Sequence, residues 1–276
     1  MKVLQIKNKE GCASTIDFLR KNSSVNLYIY EGIAGYKRHC RNFCFKSHGR
    51  ILGIVHTKNG EYFHLFFLED TGVDIAVQIK AFIFRQFPNA SVFFGERRGL
   101  ENFLRNARID VIKRREYLYM EVARDRFIPS IRYTCMQPPP EMAAKLLPLQ
   151  IQYEMEELGV QRSEIHSLRV KAALKRRLER KEITAMFQGS EPVAMAAVNA
   201  RFEHTCQIGS VFVVPACRGR GFGRSIISAH VERLFNKYEK IALFVDIHNR
   251  RAINIYKKIG FRTAGDLMQV HIRPPD

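Results

Sequence analysis

The chain has 276 residues, of which 46% are hydrophobic and 26% are charged, a composition typical of a globular protein rather than a disordered one. It contains no run of about eighteen apolar residues, and its first residues lack the apolar segment of a secretory signal, so neither a transmembrane helix nor secretion is expected. The six cysteines are too few for a disulfide framework, which favours a cytoplasmic protein. The net charge of +18, from 45 basic and 27 acidic residues, attracts polyanions in general.

The first half of the chain alternates between segments of helical periodicity and segments typical of strands. In chain order, the predicted elements are helices at 15–21 and 26–34, strands at 42–45, 51–56 and 61–68, a helix at 73–87, a strand at 91–94, a helix at 100–107 and a strand at 115–122. This order is two helices, three strands, helix, strand, helix and strand.

Three consecutive prolines, Pro138 to Pro140, then interrupt the chain, because proline continues neither a helix nor a central strand. The elements predicted after them are helices at 141–158 and 163–180, strands at 183–187, 193–199 and 206–214, a helix after Gly223, a strand at 241–245, a helix at 250–258 and a strand near 267–272. The second half repeats the order of the first. We therefore predict a tandem duplication with domains at 1–137 and 138–276.

The segment 208–224 is the most informative part of the chain. An apolar run ends at Pro215, and a basic, glycine-rich turn follows and opens an amphipathic helix. A strand, a glycine turn and a helix in this order bind a pyrophosphate, because the N–H groups of the first helical turn point at the anion and glycines let the backbone approach it. The turn lacks the Gly-Lys-Ser/Thr ending of a P-loop and the glycine spacing of a dinucleotide-binding turn.

Two motifs in the second half resemble the signatures of the GNAT acyltransferase superfamily. The first is Arg218-x-x-Gly221-x-Gly223, which follows a strand that ends in Val213-Val214-Pro215. The second runs from Asn249 through Ala252 and Tyr256 to Gly260-Phe261, after the predicted strand 241–245. The motifs occur in the family's order and are separated by one helix. The resemblance covers about 141–272, and for 1–137 it rests on the order of elements alone.

The resemblance implies an α/β fold made of two tandem GNAT-like domains, each a mixed, mostly antiparallel sheet flanked by helices. It also implies transfer of an acyl group from acetyl-coenzyme A (acetyl-CoA) to an amine by direct attack. The backbone at Phe212, Val213 and Val214 would bind the pantetheine arm, and one N–H there would polarise the thioester carbonyl. Asn249 would also bind the arm, and Tyr256 would contact the coenzyme and give the leaving thiolate its proton. The residues implied to surround the pyrophosphate are Arg218, Gly219, Arg220, Gly221, Phe222, Gly223 and Arg224.

The general base is less evident. Many members of the superfamily have a glutamate on the strand before the glycine turn, but here the sequence 205–210 contains no carboxylate. The remaining candidates are Glu203, which we take as the first choice, and its neighbour His204. A cluster of glutamates on the first helix of the second half, or water, are further alternatives. This cluster consists of Glu154, Glu156 and Glu157.

The first half differs at the corresponding positions. Its turn contains Glu69, Asp70 and Asp74, three carboxylates that would repel a pyrophosphate. Alignment of 97–98 with 250–251 places Phe103 opposite Tyr256, so the proton donor is missing as well. We predict that the first half is a degenerate copy that does not bind the coenzyme.

Several alternatives remain open at this stage. The protein would be an active N-acetyltransferase for a small-molecule or peptide amine, or else an acyl-CoA-binding or nucleic-acid-binding module with weak or lost catalysis. The basic stretch 169–181 is more typical of a solvated helix face than of a nucleic-acid site. No membrane contact and no metal site are predicted, because His39, Cys40, Cys44 and His48 fit no common zinc spacing. Cys217 is predicted to fill the loop, and the sequence predicts no oligomeric state.

Overall fold

A computed structural model describes residues 1–6, 9–21, 26–34 and 40–274, with the backbone alone at 9–12. The chain forms two compact units. Unit 1 comprises Met1–Tyr119, Phe244–His248 and Thr263–Asp276, and unit 2 comprises Met120–Leu243 and Asn249–Arg262. His39, one of the residues considered for a metal, lies outside the described residues.

Unit 1 contains the elements of the first half and the last strand of the chain. Its helices are α1 (Lys9–Lys21), α2 (Leu27–Ala34), α3 (Val73–Gln86) and α4 (Arg97–Asn106). Its strands are β1 (Lys2–Gln5), β2 (Arg41–Ser47), β3 (Arg50–Thr57), β4 (Tyr62–Phe67), β5 (Val92–Glu96), most of β6 (Val111–Ala123) and most of β11 (Arg262–Ile272). The sequence analysis did not predict β1, which is short and mostly half-exposed.

The sheet of unit 1 is mixed. Strands β1 to β4 pair antiparallel in chain order, β4 pairs parallel with β5, and β5 pairs antiparallel with β11. A phenylalanine-rich core joins α3 and α4 to this sheet, and α1 and α2 pack against a separate apolar cluster. Met268, Val270 and Ile272 alternate along β11 and are buried in the phenylalanine-rich core.

Unit 2 contains the elements that carry the two sequence motifs. Its helices are α5 (Ala143–Glu157), α6 (Ser167–Glu179), α7 (Phe222–Leu234) and α8 (Arg250–Lys258). Its strands are β7 (Ile183–Gln188), β8 (Glu191–Phe202), β9 (Thr205–Val213) and the first part of β10 (Lys240–Asp246). Strands β7, β8 and β9 pair antiparallel in chain order, and β9 pairs parallel with β10. Leucines of α5 and α6 pack on this sheet, among them Leu146, Leu149, Leu174 and Leu178.

The predicted order of elements is confirmed in both halves, and so is the mixed, mostly antiparallel sheet. The compact units do not coincide with the predicted halves. Residues 120–137 belong to unit 2, whereas Phe244–His248 and the last segment, Thr263–Asp276, belong to unit 1. β11 pairs with β5, and its alternating apolar side chains are buried in the core of unit 1. The predicted difference in role between 1–137 and 138–276 stays a prediction. In the described part of the chain, no helix is both long and apolar enough to cross a bilayer.

Candidate functional site

The glycine turn links β9 to α7 through a short 3-10 helix at Pro215–Cys217. Gly219 and Gly221 have φ angles of +82° and +87°, in the left-handed region that glycine adopts without strain. Gly221 is the residue before the first turn of α7, and no side chain caps the helix there. The sequence therefore needs glycine at these two positions to bring the chain around into the helix.

The backbone N–H groups of this turn are available to a ligand. Among the described residues, the N–H groups from Gly219 through Arg224 have no acceptor, and the first helical bond is from Ser225 N to Gly221 O at 3.1 Å. A Cβ atom on Gly223 would be 3.7 Å from side-chain atoms of Val213 and Ile255, an ordinary van der Waals contact. Unpaired amides at a helix N-terminus form an anion site.

The strand that leads to the turn has an open edge. β9 pairs with β10 only from Thr205 to Gln207, although β9 continues to Val213. Beyond this pairing, Ser210 has a φ of +48°, and the β8–β9 register shifts twice. Val214 N donates to Val193 O on the β8 side, so by the alternation of a strand the N–H of Val213 points to the opposite, open side. An extended group can therefore add to this edge of β9.

Arg218 stabilises the turn through its side chain. Its guanidinium forms an ion pair with Glu156 of α5, with Nη1–Oε1 at 2.6 Å and Nη2–Oε2 at 2.8 Å. Its Nε donates to Val213 O at 3.0 Å, and the guanidinium lies 5.3 Å from the ring centre of the buried Phe212. The hydrogen bond to Glu156 raises the pKa of Arg218 above its usual value. The sequence analysis placed this arginine beside the pyrophosphate, whereas the structure uses its side chain to hold the turn against α5.

Other side chains border the turn. Arg220 is exposed, and its backbone oxygen accepts a hydrogen bond from the hydroxyl of Tyr133 at 2.8 Å. The buried Phe222 packs edge-on against the same tyrosine, with ring centres 4.3 Å apart. Arg224 has a buried Nε without a partner among the described residues.

Sequence analysis missed a further cation at the turn, Arg251. Its guanidinium Nη2 lies 3.7 Å from the position that a Cβ of Gly219 would occupy. The residue is exposed and stands next but one after Asn249 in the second motif. The sequence signal that could have indicated this cation was the basic pair Arg250-Arg251 at the start of α8, because the fold brings this end of the helix next to the glycine turn.

The second motif supplies Asn249 and Tyr256. Asn249 is the N-cap of α8, and its side-chain oxygen accepts from Ala252 N at 3.1 Å. The motif asparagine thus has a structural role that the sequence analysis did not include, and coenzyme binding through its amide nitrogen stays a prediction.

Tyr256 is 7% exposed, and its ring packs against Phe261 with ring centres 5.7 Å apart. Burial, followed by the nearby Glu157 and then Tyr153, raises the pKa of Tyr256. An ordinary phenol has a pKa not far above that of a thiol, and burial moves the pKa of Tyr256 further away from it.

The candidate bases occupy different places. Glu203 is exposed at the tip of the β8–β9 hairpin with a φ of +48°, and the neighbouring His204 lies 3.6 Å from Glu239. At about 3.3 Å per strand residue, β9 separates both from Val213 by roughly 30 Å. A base must come within hydrogen-bond reach of the amine, so this position does not favour Glu203. Catalysis by Glu203 stays a prediction.

The glutamates of α5 lie nearer. Glu156 is paired with Arg218, and Glu154 accepts from Gln150 Nε2 at 2.9 Å. Glu157 is half-buried and is close enough to influence the ionisation of Tyr153 and Tyr256.

Sequence reasoning also missed a polar cluster at the irregular stretch of β9. Burial raises the pKa of Tyr153 of α5, and the neighbouring Ser210 opposes this shift. Arg177 of α6 donates to Ser210 Oγ at 3.4 Å, to Val198 O at 2.7 Å and to Asn199 Oδ1 at 3.0 Å. Arg177 lies in the basic run 169–181. Its hydrogen bonds show that this charged side chain contacts β8 and β9 instead of pointing into solvent. The rest of that helix buries Leu174 and Leu178 and exposes most of its charges, as expected for a solvated face.

Unit 1 has a different geometry at the corresponding positions. Its turn is acidic, with Asp70 paired to Arg50 at 2.9 Å and Glu69 lying 3.8 Å from Arg98. Helices α4 and α8 begin at the two aligned residues, Arg97 and Arg250, so Phe103 takes the place of Tyr256.

The edge of β4 in unit 1 is closed. β4 pairs with β5 over four of its six residues, from Tyr62 to Leu65. A Cβ on Gly95 would lie 2.2 Å from Leu65 O, and one on Gly99 would lie 2.1 Å from Phe67 O. These backbone contacts leave no free edge on this part of β4. In unit 2, by contrast, β9 is unpaired on the side of β10 beyond Gln207.

Two minor predictions concern cysteine and metal. Cys217 is buried, and its Sγ lies 3.4 Å from Gln188 Oε1, which agrees with a packing role in the loop. Within the described ranges, no group of three or more His, Cys, Asp or Glu side chains is arranged to hold a metal ion.

Comparison with protein families identifies the segment that carries this geometry. Residues 149–261 match the model described as Acetyltransferase (GNAT) family. These residues form a GNAT domain. No protein of curated function matches the chain in sequence.

Solved structures extend the likeness to the whole chain. A tandem GNAT protein from the clavulanic acid biosynthesis pathway has a TM-score of 0.65 at 11% identity, with 100% of both chains covered. A GCN5-related N-acetyltransferase from Sphaerobacter thermophilus has a TM-score of 0.67 at 13% identity, with 99% of this chain and 97% of the other covered. An acetyltransferase of the GNAT family from Colwellia psychrerythraea has a TM-score of 0.65 at 11% identity, covering 99% and 100%. At these identities the likeness establishes the tandem GNAT fold and nothing finer.

Proposed function

We propose that the protein is an acyl-coenzyme A-dependent N-acyltransferase whose single coenzyme site lies in unit 2, with acetyl-CoA as the expected donor. One observation carries the proposal. The unpaired amides from Gly219 to Arg224 follow directly on the open edge of β9, so an anion site and a strand edge are continuous. A coenzyme with a pyrophosphate and an amide-bearing arm needs both in this order.

The side chains around the turn fit that ligand. Arg220 and Arg251 are exposed cations next to the amides, and the pairing of Arg218 with Glu156 leaves these two to interact with phosphate. The partly buried Arg224 adds an Nε that lacks a partner among the described residues. Positive charge and helix N–H groups together favour a polyanion at this point.

The chemistry follows from the open edge and Tyr256. The bound donor supplies a thioester whose carbonyl is open to attack by an amine. The N–H of Val213 faces the open side of β9 and polarises that carbonyl, which stabilises the negative charge on its oxygen during attack. The hydroxyl of Tyr256 carries a proton at neutral pH, as an ordinary phenol does, and burial raises its pKa further. This hydroxyl provides the proton that the departing sulfur requires. The acceptor is an amine of a small molecule or a peptide.

The same reasoning assigns no coenzyme site to unit 1. The carboxylates of Glu69 and Asp70 stand at its turn, and the close contacts of Gly95 and Gly99 occupy the edge of β4. A phosphate would meet negative charge, and an extended arm would find no free strand edge.

Isothermal titration calorimetry of the full chain with coenzyme A tests the site. We expect one site per chain, and two equivalent sites would contradict the assignment to unit 2. Thiol release from acetyl-CoA is then measured with primary alkylamines, polyamines, amino acids and lysyl peptides. Release with at least one amine supports the enzyme, whereas tight coenzyme binding with no release would make the protein an acyl-CoA-binding module.

A further inference from the structure

The pairing of β8 with β9 contains two β-bulges. On β8 the extra residue is Asn199, which lies between the partners of Ile208 and Gln207. On β9 the bulge comprises 210–211, two residues that stand opposite the single Ala196. The pairs outside the two bulges share one register, so the second bulge cancels the shift that the first introduces. Such bulges re-aim a strand locally and are common beside functional sites.

One side chain, Arg177 of α6, contacts both bulges. Its Nη2 donates to Val198 O at 2.7 Å and to Asn199 Oδ1 at 3.0 Å, on β8. Its Nη1 donates to Ser210 Oγ at 3.4 Å, a longer contact, on β9. A guanidinium can reach two strands in this way because its donors point in fixed, divergent directions.

The two residues that Arg177 contacts through their side chains have unusual surroundings. The oxygen of Asn199 accepts from Arg177, and its amide nitrogen lies 2.0 Å from the position that a Cβ of Gly209 would occupy. Ser210 is buried, and its φ of +48° lies in the left-handed region, which is unfavourable for a residue other than glycine. A residue keeps such a conformation only where its surroundings hold it there.

The bulge at Ser210 decides which way the end of β9 faces. Val213 pairs with Ala194, and its N–H points away from β8 to the open side of the strand. If the bulge became regular, the residues after it would advance by one position along β8. Alternation along the strand would then turn the N–H of Val213 towards β8, and the open edge would lose this donor.

We propose that Arg177 is a positioning residue for the coenzyme, which holds the two bulges so that the N–H of Val213 faces the pantetheine arm and its thioester. The inference rests on the proposed function. It assigns to Arg177 an effect on the arm and none on the pyrophosphate, because the glycine turn is held by a different contact, from Arg218 Nε to Val213 O.

The first test compares two ligands by calorimetry on the wild type and on Arg177→Met. One ligand is coenzyme A, and the other is adenosine 3′-phosphate 5′-diphosphate, which has the pyrophosphate but not the arm. We expect Arg177→Met to weaken coenzyme A binding about tenfold, the equivalent of one lost hydrogen bond. The Kd of the armless nucleotide should change by less than about threefold. Equal weakening of both ligands, or of neither, would overturn the proposal.

Arg201→Met is the matched control on the same pair of strands. Arg201 lies on β8 two residues beyond Asn199, and its guanidinium is bonded to Glu182 and Tyr238 instead of to a bulge. Both variants should unfold at a lower urea concentration than the wild type, but Arg201→Met should keep its Kd for coenzyme A within about threefold. Loss of coenzyme A binding in this control as well would assign the effect to general destabilisation and overturn the proposal.

A glycine at position 210 tests how Arg177 acts. Glycine adopts the left-handed conformation without strain, so Arg177→Met combined with Ser210→Gly should recover most of the affinity for coenzyme A. Arg177→Met combined with Ser210→Ala retains the strain and should not recover it. Recovery in both double variants, or in neither, would overturn the role of Arg177 in holding Ser210.

Hydrogen exchange supplies a measurement that needs no ligand. Amides of the segment 208–213 should exchange faster in Arg177→Met than in the wild type, and at the wild-type rate in Arg201→Met. Unchanged exchange in Arg177→Met would overturn the proposal.

The outcomes separate this inference from the proposed function. A wild type that binds neither coenzyme A nor the armless nucleotide overturns both. A wild type that binds coenzyme A more tightly than the armless nucleotide, with Arg177→Met equal to it for both ligands, overturns the positioning role alone.

Discussion

Arg218 and Glu156 form a two-pronged ion pair between the glycine turn and α5, with both nitrogen–oxygen distances below 3 Å. The pair connects the first sequence motif to a helix that precedes it by some sixty residues. Both side chains are partly exposed, at 32% and 42%. Solvent at this exposure screens the charge interaction, and we expect the contact from Arg218 Nε to Val213 O to contribute more to holding the turn on the end of β9.

This difference predicts unequal effects of two substitutions. Arg218→Ala should weaken coenzyme A binding about tenfold, because the turn loses its contact with Val213 as well as the pair. Glu156→Gln should change the Kd by less than about threefold, since exposed ion pairs contribute roughly 0–1 kcal/mol. Calorimetry on both variants checks this. If Glu156→Gln binds as poorly as Arg218→Ala, the ion pair and not the backbone contact stabilises the turn.

A side chain at Gly221 should abolish coenzyme binding. Gly221→Val places a branched group at a φ of +87°, beside the unpaired amides of the turn. Gly189, with a φ of +58° and no neighbour within 4 Å, lies in the β7–β8 hairpin and gives the control Gly189→Val. Both variants should lose about 1–2 kcal/mol of stability from left-handed strain. Only Gly221→Val should lose coenzyme A binding; a comparable loss in Gly189→Val would mean that strain, and not the blocked amides, is responsible.

The closed edge of unit 1 predicts a stability difference between two glycines. Gly95→Ala would place a Cβ 2.2 Å from Leu65 O, a backbone atom that moves only with its strand. We expect a loss of about 1–3 kcal/mol in the free energy of unfolding, as for overpacking. Gly72→Ala has open space and a φ of −69°, and should change it by less than about 1 kcal/mol. Urea unfolding measures both, and equal effects would contradict the tight packing of β4 on β5.

His230 should make stability depend on pH. It is fully buried in α7, and its Nδ1 lies 2.8 Å from Thr184 Oγ1 and 3.2 Å from Arg233. Burial, then Arg233 and Arg177, lowers the pKa of His230 well below its usual value. The unfolded chain protonates this histidine below about pH 6.5 and the folded chain does not, so the unfolding free energy falls as the pH decreases, by up to about 1.4 kcal/mol per pH unit.

The histidine prediction is checked by urea unfolding between pH 7 and pH 5. His230→Gln should flatten the pH dependence, although it also lowers stability at pH 7. His204→Gln removes an exposed histidine from the β8–β9 hairpin and serves as the control for the substitution itself. A slope that persists in His230→Gln would assign the effect to other histidines, such as the half-buried His64 of unit 1, whose pKa is also lowered.

The sequence was sufficient for the order of elements and for the glycine turn, because periodicity and glycine spacing are local properties. It did not predict that β11 pairs with β5, since an alternating apolar strand fits either sheet and only the packing of Met268 and Val270 decides. The capping role of Asn249 and the ion pair of Arg218 depend on atoms brought together by the fold.

Tyr256→Phe tests the proton donor itself. The ring packs against Phe261, and no hydrogen bond joins its hydroxyl to another described residue, so the substitution should leave stability and coenzyme affinity nearly unchanged. If the phenol protonates the leaving sulfur, kcat should fall by about a hundredfold or more. Measurement of kcat, of the coenzyme A Kd and of the thermal midpoint on one preparation separates this from a packing role. Normal turnover would remove Tyr256 from the mechanism and leave the sulfur to take its proton from water.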